Sequence, residues 1–451
     1  MLRIWNVSLI IGTFVLALLG TFLVRSGILD SIHAFGASTL GKPFLAFIAV
    51  VLVGSVALVL SRRGDLRSEA RLDSLASREA MFLLNNLVLV GLCFVIFWGT
   101  FFPLISEAVT GTEASVGPPW FNRYTTPLAL ALVLLAGIGP VIAWKRATLA
   151  NMRRSFAVPV GSALLTLGAC LALTPAAESP ASLLMFTFVA FVLAVVAQEL
   201  WRGTRARRVM SDDSWPAALK NLVARNRRRY GGYIVHAGIA FLFLGVAASS
   251  AFVEQRDVRM VPGQTAQVGD YTLSYREPTA ALVDDPSDTG APITLGAVMD
   301  VKQGDESFTV APSRNYYTAQ DDGETGAIGR FFEGEATSEV DVRWGLRRDL
   351  WVAIQPDLAP LQGAIDEANR RFADPAFREA QGLIVASLVE RYRKDPPPAS
   401  VRVIVSPLVI WIWLGGGISV LGALLALWPG AGTSRARSIA AARVGRELSR
   451  A

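Results

Sequence analysis

Histidine and cysteine are almost absent from this sequence, which has 2 residues of each among 451. Cys93 and Cys170 both lie in long apolar runs, and they form no C-x-x-C pair. The sequence therefore has neither a disulfide framework nor a thiol-redox motif. Each cysteine is interpreted as a small apolar side chain that fills space.

Charged residues are also scarce. They make up 18% of the chain, against roughly 25% in a soluble globular domain, and apolar residues make up 52%. Runs of about twenty apolar residues are long enough to cross a bilayer as helices. The sequence therefore predicts a polytopic α-helical membrane protein with about eight transmembrane helices. The predicted spans are about 5–24, 43–60, 82–103, 127–144, 157–174, 183–201, 231–250 and 407–428.

Lysine and arginine are distributed unevenly among the segments that connect these spans. Cation-rich segments contain five, four, nine and five of them, at 61–80, 145–154, 202–229 and after 428. The alternate segments contain two, one and none, at 25–42, 104–126 and 175–182. This alternation follows the positive-inside rule and predicts that both termini are cytoplasmic. The net charge of +6 is therefore a signal of topology, and Arg227, Arg228 and Arg229 are interpreted as a stop at the lipid headgroups rather than a nucleic-acid site.

One long polar segment, 251–404, interrupts the apolar pattern and is expected outside the cytoplasm. Alternating runs at 258–277, 293–312 and 349–356 predict strands separated by Gly, Asp and Pro turns. The stretch 362–393 predicts a helix interrupted near Pro375. The expected organisation is transmembrane helices 1–7 with short loops over 1–250, an inserted β-rich extracytoplasmic domain over 251–404, and a last helix with a basic tail over 405–451.

One of the two histidines, His236, lies about five residues past the cytoplasmic entry of the predicted span 231–250. At 1.5 Å per residue, this position is roughly 8 Å deep in the bilayer. An ionisable side chain there is costly and usually functional. Gly232 and Ala240 lie one turn before and after it, and Gly238 is nearby. This strip of small residues either lets another helix approach closely or leaves room for a flat macrocycle against the imidazole.

The other histidine, His33, lies some nine residues past the first predicted span, on the outer side. If 26–36 forms a short helix along the membrane surface, His33 lies at its apolar–polar border, near Asp30. An imidazole there would reach a ligand that is half in lipid and half in water, although an ordinary interfacial histidine remains an alternative. His33 and His236 lie on opposite sides of the membrane and cannot share one metal, because iron–imidazole bonds are only about 2 Å long. If both bind haem iron, there are two haems, and each needs a second ligand from elsewhere.

Several segments resemble the C-terminal part of CcmF-type haem lyases, the membrane proteins of the system I cytochrome c maturation pathway. They are "GTFLVRSGILDSIHAFG" (20–36), "WGTFFPLISEAVTG" with "VGPPWFNR" (98–123), "RRYGGYIVHAGIAFLFLGV" (228–246) and "WIWLGGGISVLGALLAL" (411–427). The resemblance covers essentially the whole chain and is weakest in 251–404.

By this resemblance, His33 matches the second periplasmic histidine that axially ligates the incoming haem. His236 matches one of two transmembrane histidines that hold a permanent b-type haem. In the family, a tryptophan-rich WWD segment, the first periplasmic histidine and the other transmembrane histidine precede this region, and none of the 11 tryptophans here forms such a cluster. The chain is therefore expected to be the C-terminal half of a lyase, from a split gene or a truncated reading frame, that needs a WWD-bearing N-terminal part.

The resemblance also implies a mechanism and partners. CcmF-type proteins join haem vinyl groups to the C-x-x-C-H cysteines of apocytochrome c, and holding vinyls against thiols makes the addition effectively unimolecular. His33 would ligate haem as the transferred substrate, and haem b at His236 would reduce its iron. The implied partners are a CcmE-type haem chaperone, apocytochrome c, CcmH/CcmI-type proteins that reduce its thiols or hold it, and quinol as a candidate electron donor. No nucleic acid is expected, and the implied location is a bacterial inner (cytoplasmic) membrane.

Three other residues are candidates for the haem sites. Asp30 is a possible hydrogen-bond partner that fixes the tautomer of His33. Arg25 is either a donor to a haem propionate or an interfacial anchor. Trp120, after a predicted Pro118–Pro119 turn on the next outer loop, would wall the haem pocket or belong to the aromatic belt of the membrane interface.

Three rival functions remain open from the sequence. The chain would be a scaffold or docking subunit if all chemistry lies in a separate WWD-bearing protein. It would be a quinol-oxidising b-type cytochrome if its haem serves electron transfer alone. A transporter is the third alternative, with Glu199 and His236 as the main ionisable residues within the predicted spans.

Overall fold

The computed structural model describes residues 3–26, 41–67, 74–144, 148–282, 293–318, 326–333, 336–372 and 381–428. The chain forms two compact units, Met1–Phe156 and Ala157–Ala451. The boundary between them lies inside the segment 1–250 that the sequence assigned to one set of membrane helices.

Helices dominate both units. They are α1 (Arg3–Ser26), α2 (Gly41–Ser61), α3 (Arg63–Leu66), α4 (Arg78–Thr110), α5 (Pro118–Ile138), α6 (Leu149–Leu173), α7 (Pro180–Ser211), α8 (Trp215–Arg225), α9 (Arg227–Ala251), α10 (Gly326–Glu333), α11 (Ala359–Phe372), α12 (Gln381–Lys394) and α13 (Ile410–Leu427). Within the described ranges, eight of them (α1, α2, α4, α5, α6, α7, α9 and α13) are long and apolar enough to cross a membrane. These eight helices confirm the predicted polytopic helical fold. The sequence could predict it because a membrane helix satisfies its backbone hydrogen bonds within its own segment.

The longest helix, α4, has clear signals at both ends. The side chain of Ser77 accepts a hydrogen bond from the Ala80 amide at 3.2 Å, which satisfies one of the free amides of the first turn. Gly111 follows the last helical residue with φ of 72°, a left-handed conformation that glycine adopts without strain. The helix therefore extends several residues beyond both ends of the predicted span 82–103.

The fourth span differs from its prediction. The sequence suggested a helix over about 127–144 and a turn at Pro118–Pro119, but α5 begins at Pro118 and ends at Ile138. Proline favours the first helical positions, because its fixed φ suits a helix and its missing amide has no partner there. At the other end, the Arg78 guanidinium donates to the carbonyl oxygens of Gly139 (3.1 Å) and Pro140 (2.6 Å). A cation at this end of α5 complements the helix dipole.

In its described residues, the polar segment after α9 folds into two antiparallel sheets with three helices, which confirms that it is β-rich. Its strands are β1 (Glu254–Met260), β2 (Thr265–Val268), β3 (Tyr271–Leu282), β4 (Ile293–Gln303), β5 (Glu306–Val310), β6 (Ser313–Tyr316), β7 (Thr337–Glu339), β8 (Asp341–Arg343), β9 (Arg348–Pro356) and β10 (Ala399–Pro407). One sheet has the order β1-β10-β9-β8, and the other has the order β2-β3-β4-β6-β7 with β5 paired to β4.

Alternate residues of these strands build two apolar cores. The first lies between the sheets and includes Leu273, Val352 and Val401, each fully buried. The second joins β4 and β6 to α10, α11 and α12, around residues such as Leu295 and Tyr392. The predicted helix over 362–393 corresponds to α11 and α12, and Pro375 lies outside the described residues.

Strand pairing in this domain brings two distant membrane helices together. β1 directly follows α9, β10 directly precedes α13, and β1 pairs with β10 in antiparallel register from Glu254↔Val405 to Met260↔Ala399. Because the strands are neighbours, α9 and α13 leave the sheet side by side and run antiparallel. At the corner into α13, Leu408 has φ of 59° and the Trp411 indole donates to the Leu346 carbonyl oxygen at 3.0 Å.

The α9–α13 interface is a glycine seam, formed by Gly231, Gly238 and Gly245 of α9. They are seven residues apart, nearly two turns, and therefore share one face of the helix. A Cβ on Gly231 would lie 2.7 Å from the Gly422 oxygen, and one on Gly238 would lie 2.6 Å from the Gly415 oxygen. The two backbones are therefore in direct contact, as expected where small residues drive association of membrane helices.

We expect Gly238→Val to weaken this seam. The added side chain has no space against Gly415 and Ser419, so the helices must separate, and overpacking of this kind costs about 1–3 kcal/mol of unfolding free energy. The measurement is the thermal unfolding of the purified chain in detergent, followed by circular dichroism. Gly232→Val is the matched control on the same helix, because no heavy atom lies within 4 Å of a Cβ there. Equal stabilities of the two variants would contradict a packed seam.

Candidate functional site

His236 lies on a face of α9 that is separate from the glycine seam. At about 100° per residue, Gly232 and His236 lie about 40° apart, whereas Gly238 lies about 160° from His236. The imidazole is partly buried. Beside it, one turn earlier, a Cβ on Gly232 would meet nothing within 4 Å. An imidazole therefore lies next to open space on the same helix face, and this arrangement has room for a planar macrocycle.

The two explanations for the small residues near His236 apply to different residues. Gly238 serves close helix approach, because it touches the backbone of α13. Ala240 is 1% exposed and belongs to the packed interior of the second unit. Only Gly232 leaves space open. Sequence spacing alone did not separate these cases, since it does not say which face of α9 meets α13.

A second polar group, centred on Glu199 of α7, lies at the start of α9. The Glu199 carboxylate accepts hydrogen bonds from the Arg229 guanidinium at 2.8 Å and from the Tyr233 hydroxyl at 3.1 Å. Arg229 also donates to the Tyr233 hydroxyl at 3.0 Å. The Glu199 side chain is 12% exposed, so a largely enclosed carboxylate has a cation and a hydroxyl as partners. This cluster joins α7 to α9 one turn before His236.

The Glu199 cluster gives partners to two residues that the sequence analysis named. Arg229 is an ion-pair partner of Glu199 although its side chain is 59% exposed, and its neighbour Arg228 is exposed as well. Glu199, named as a residue for the transporter alternative, accepts both hydrogen bonds on one oxygen, and Arg202 lies 3.7 Å from the other. The i,i+4 spacing of Arg229 and Tyr233 on one helix face was the only available sequence signal for this group.

The outer site is only partly described. His33 and Asp30 lie outside the described residues. Arg25 lies in the last turn of α1, where its exposed cation complements the helix carbonyl groups. Among the residues that the structure does describe, no three His, Cys, Asp or Glu side chains gather as a metal-binding group.

Trp120 lies in the first turn of α5, not in a loop, which corrects its predicted position. Its ring packs edge-on against Phe121 with centroids 5.2 Å apart and lies 5.0 Å from the Tyr124 ring. Both Trp120 and Phe121 pack onto Gly99 of α4, because a Cβ on Gly99 would overlap these rings. Trp120 is therefore part of the α4–α5 contact.

The β-rich domain has its own polar groove of about 630 Å³, next to Arg259, Arg314 and Asp357. Arg259 and Asp357 form an ion pair at 2.5 Å. A smaller adjoining cavity includes Asp257, whose pKa is lowered by hydrogen bonds from the Arg402 guanidinium. On the buried side, loss of solvent raises the pKa of Tyr316 to about 12, so its hydroxyl stays protonated at physiological pH. Exposed ion pairs of this kind contribute little to stability and do not indicate catalysis by themselves.

Comparison with known proteins gives consistent relatives, although no family model matches the chain. Cytochrome c-type biogenesis protein CcmF of Pseudomonas aeruginosa is 32% identical over 423 residues, which are 94% of this chain and 54% of that protein. CcmF of Escherichia coli is 29% identical over 431 residues, 94% of this chain and 55% of that protein. The protein ccl1 of Rhodobacter capsulatus is 28% identical over 447 residues, 98% of this chain and 57% of that protein.

A solved structure, described as cytochrome c haem lyase CcmF, has the same fold over this region. It superposes with a TM-score of 0.60 and 21% identity, covering 94% of this chain and 55% of the other. The chain therefore spans about half the length of the relatives that it matches.

Proposed function

Because this chain is homologous to the C-terminal half of the CcmF-type cytochrome c biogenesis proteins, we propose that it is part of a membrane haem lyase. This lyase would attach haem covalently to the C-x-x-C-H cysteines of apocytochrome c. The observation that carries the proposal is the His236 face of α9, where an imidazole adjoins the open space at Gly232 while the seam glycines are occupied by α13.

His236 is proposed as an axial ligand of a permanent b-type haem. Gly232 would leave room for the macrocycle beside the imidazole, and Ala240, one turn later and buried, is also a small residue. The Glu199–Arg229–Tyr233 cluster supports this role, because it fixes the rotation of α9 relative to α7 one turn before the ligand. When bound, such a haem would supply an electron to the iron of the substrate haem.

His33 is proposed as the axial ligand of the haem that is transferred. Its part in the reaction is positioning, because holding the vinyl groups against the apocytochrome thiols replaces a bimolecular encounter. Asp30 would hold the imidazole in one tautomer. Arg25, in the last turn of α1, would donate to a propionate. Trp120 would support the outer end of α4 and α5 through its packing on Gly99.

The topology and partners belong to the same proposal. By the positive-inside rule, both termini and the α7–α9 connection are cytoplasmic and the β-rich domain is periplasmic. A WWD-bearing N-terminal part would supply the second ligand of each haem. A CcmE-type chaperone would deliver haem, and CcmH/CcmI-type proteins would present reduced apocytochrome c at the periplasmic face. Quinol is a candidate electron donor.

The haem content of the purified complex tests this function against its rivals. Copurified with a WWD-bearing partner and assayed as the pyridine haemochrome, the lyase is expected to contain one haem that depends on His236 and a second that depends on His33. A scaffold subunit would contain no haem that depends on either histidine. A b-type cytochrome with electron transfer alone would contain one haem, dependent on His236 only.

A further inference from the structure

An apolar groove lies where α8 meets the end of α13, on the side of α8 that faces away from the protein interior. The groove has a volume of about 620 Å³. Its walls include Leu219 and Val223 of α8 and Leu425 and Trp428 from the last turn and end of α13. A volume of this order suits a small apolar ligand or part of a chain. We call it the α8–α13 groove.

The groove is preformed, because α8 is fixed against the rest of the unit. Ala218 and Leu222 are buried, and Leu222 packs with Val196 of α7 and Tyr230 of α9 in one cluster, against which the wall residue Val223 also packs. Apolar side chains therefore lie on the outer side of α8 as well as on its buried side. Leu219 is 40% exposed and Trp428 is 67% exposed, although both are large and apolar. Exposed apolar surface of this kind implies a partner or a lipid.

Two cations lie at the edge of this apolar surface. Lys220 and Arg227 both line the groove. Arg227 also donates to the Ala224 carbonyl oxygen at 3.1 Å, which fixes its guanidinium near the C-terminal end of α8. A ligand that fills the groove must therefore have an apolar part for its walls and a negative group for Lys220 and Arg227.

Neighbouring aromatic residues indicate that the groove lies at the membrane–water interface. The rings of Trp201 and Trp215 are stacked with centroids 4.5 Å apart, and the Arg208 guanidinium lies 5.1 Å from the Trp215 ring. Tryptophan beside arginine is typical of the headgroup level. Under the proposed topology, this end of α7, α8 and α13 faces the cytoplasmic leaflet.

We propose that the α8–α13 groove binds an anionic phospholipid of the cytoplasmic leaflet. Its phosphate lies against Lys220 and Arg227, and one acyl chain follows the apolar wall. The other candidate occupant within the chain is the segment 429–451, which follows Trp428. Its five arginines and one glutamate make it basic, so Lys220 and Arg227 would repel it. Basic pockets between membrane helices on the cytoplasmic side are suited to anionic headgroups. This site is independent of the proposed haem chemistry.

The test uses Trp428 as a reporter within the groove. The full chain is placed in phosphatidylcholine nanodiscs with increasing amounts of dibrominated phosphatidylglycerol, and the quenching signal is the fluorescence difference between the wild type and Trp428→Phe. Half-quenching is expected at a low fraction of phosphatidylglycerol. In the Lys220→Gln/Arg227→Gln double variant, the fraction of phosphatidylglycerol needed for half-quenching should rise about ten- to thirtyfold. The reason is that each cation near an anionic headgroup strengthens binding about fivefold.

The matched control is the Arg225→Gln/Arg228→Gln double variant. It removes the same charge from α8 and α9, but both residues are exposed and neither lines the groove. Its half-quenching fraction should equal that of the wild type. The proposal is overturned if the half-quenching fraction of this control rises as much as that of the groove variant. It is also overturned if dibrominated phosphatidylcholine quenches Trp428 as well as dibrominated phosphatidylglycerol does. Relief of quenching by soluble glycerol phosphate would also overturn it, because the groove would then bind phosphate and not lipid.

Discussion

Expressed alone in a host deleted for every other lyase component of this type, the chain is expected to leave a C-x-x-C-H reporter without covalent haem. The reason is the number of ligands. Haem sites with two histidines need two imidazoles per iron, and this chain contains only His33 and His236. Co-expression with a WWD-bearing partner should restore both bound haem and thioether formation, measured by haem stain of the reporter after denaturing electrophoresis.

Within that reconstituted complex, His33→Ala should reduce reporter maturation to the background of the deleted host while the b-type haem remains. No other histidine of this chain is available to replace it. Lys42→Ala is a suitable control, since it removes a cation at the start of α2 that has no proposed role. Full maturation by the chain alone, or an active His33→Ala complex, would refute the proposed division of ligands.

The second large effect is expected at the membrane site. His236→Ala should abolish the low-spin b-type bands in the reduced-minus-oxidised spectrum of the complex, whereas His33→Ala should leave them largely intact. An imidazole on α9 has no substitute nearby, because the described part of the chain has no other histidine. An unchanged spectrum in His236→Ala would exclude this residue as a ligand.

A steric variant distinguishes ligation from loss of structure. Gly232→Leu should lower haem occupancy with little effect on the thermal stability of the haem-free chain, because it fills the open space beside His236. Gly417→Leu on α13 is the matched control, since its Cβ also meets nothing within 4 Å and it lies on another helix. If both leucine variants retain haem equally, the space at Gly232 is not part of the site.

Local patterns predicted much of the architecture. The eight membrane helices follow from runs of apolar residues, because a membrane helix satisfies its hydrogen bonds within its own segment. The strands of the β-rich domain follow from alternation, because one face of each sheet is buried. The fourth helix was misjudged for an equally local reason. Pro118 and Pro119 look like a turn, but they favour the first turn of a helix as well.

The identity of the candidate ligands also came from the sequence, since a histidine within an apolar run is rare whatever surrounds it. The surroundings did not. Nothing in the sequence pairs Arg229 with Glu199, thirty residues earlier, whose carboxylate lies 2.8 Å from the guanidinium. Likewise, Gly232 and Gly238 are equivalent in sequence, and only the position of α13 makes one a packing residue and leaves the other open.

The sequence by itself determined that the chain is a membrane protein, which eight described helices are long and apolar enough to cross a bilayer, where the β-rich insertion lies and which two histidines are candidate ligands. Only the tertiary structure decided which face of α9 is closed and which is open. That decision depends on the pairing of β1 with β10, strands that are more than a hundred residues apart in the chain. Their register brings α13 against the glycine seam and leaves His236 beside free space. Composition and periodicity act over a few turns, whereas such a contact depends on how the whole intervening domain folds.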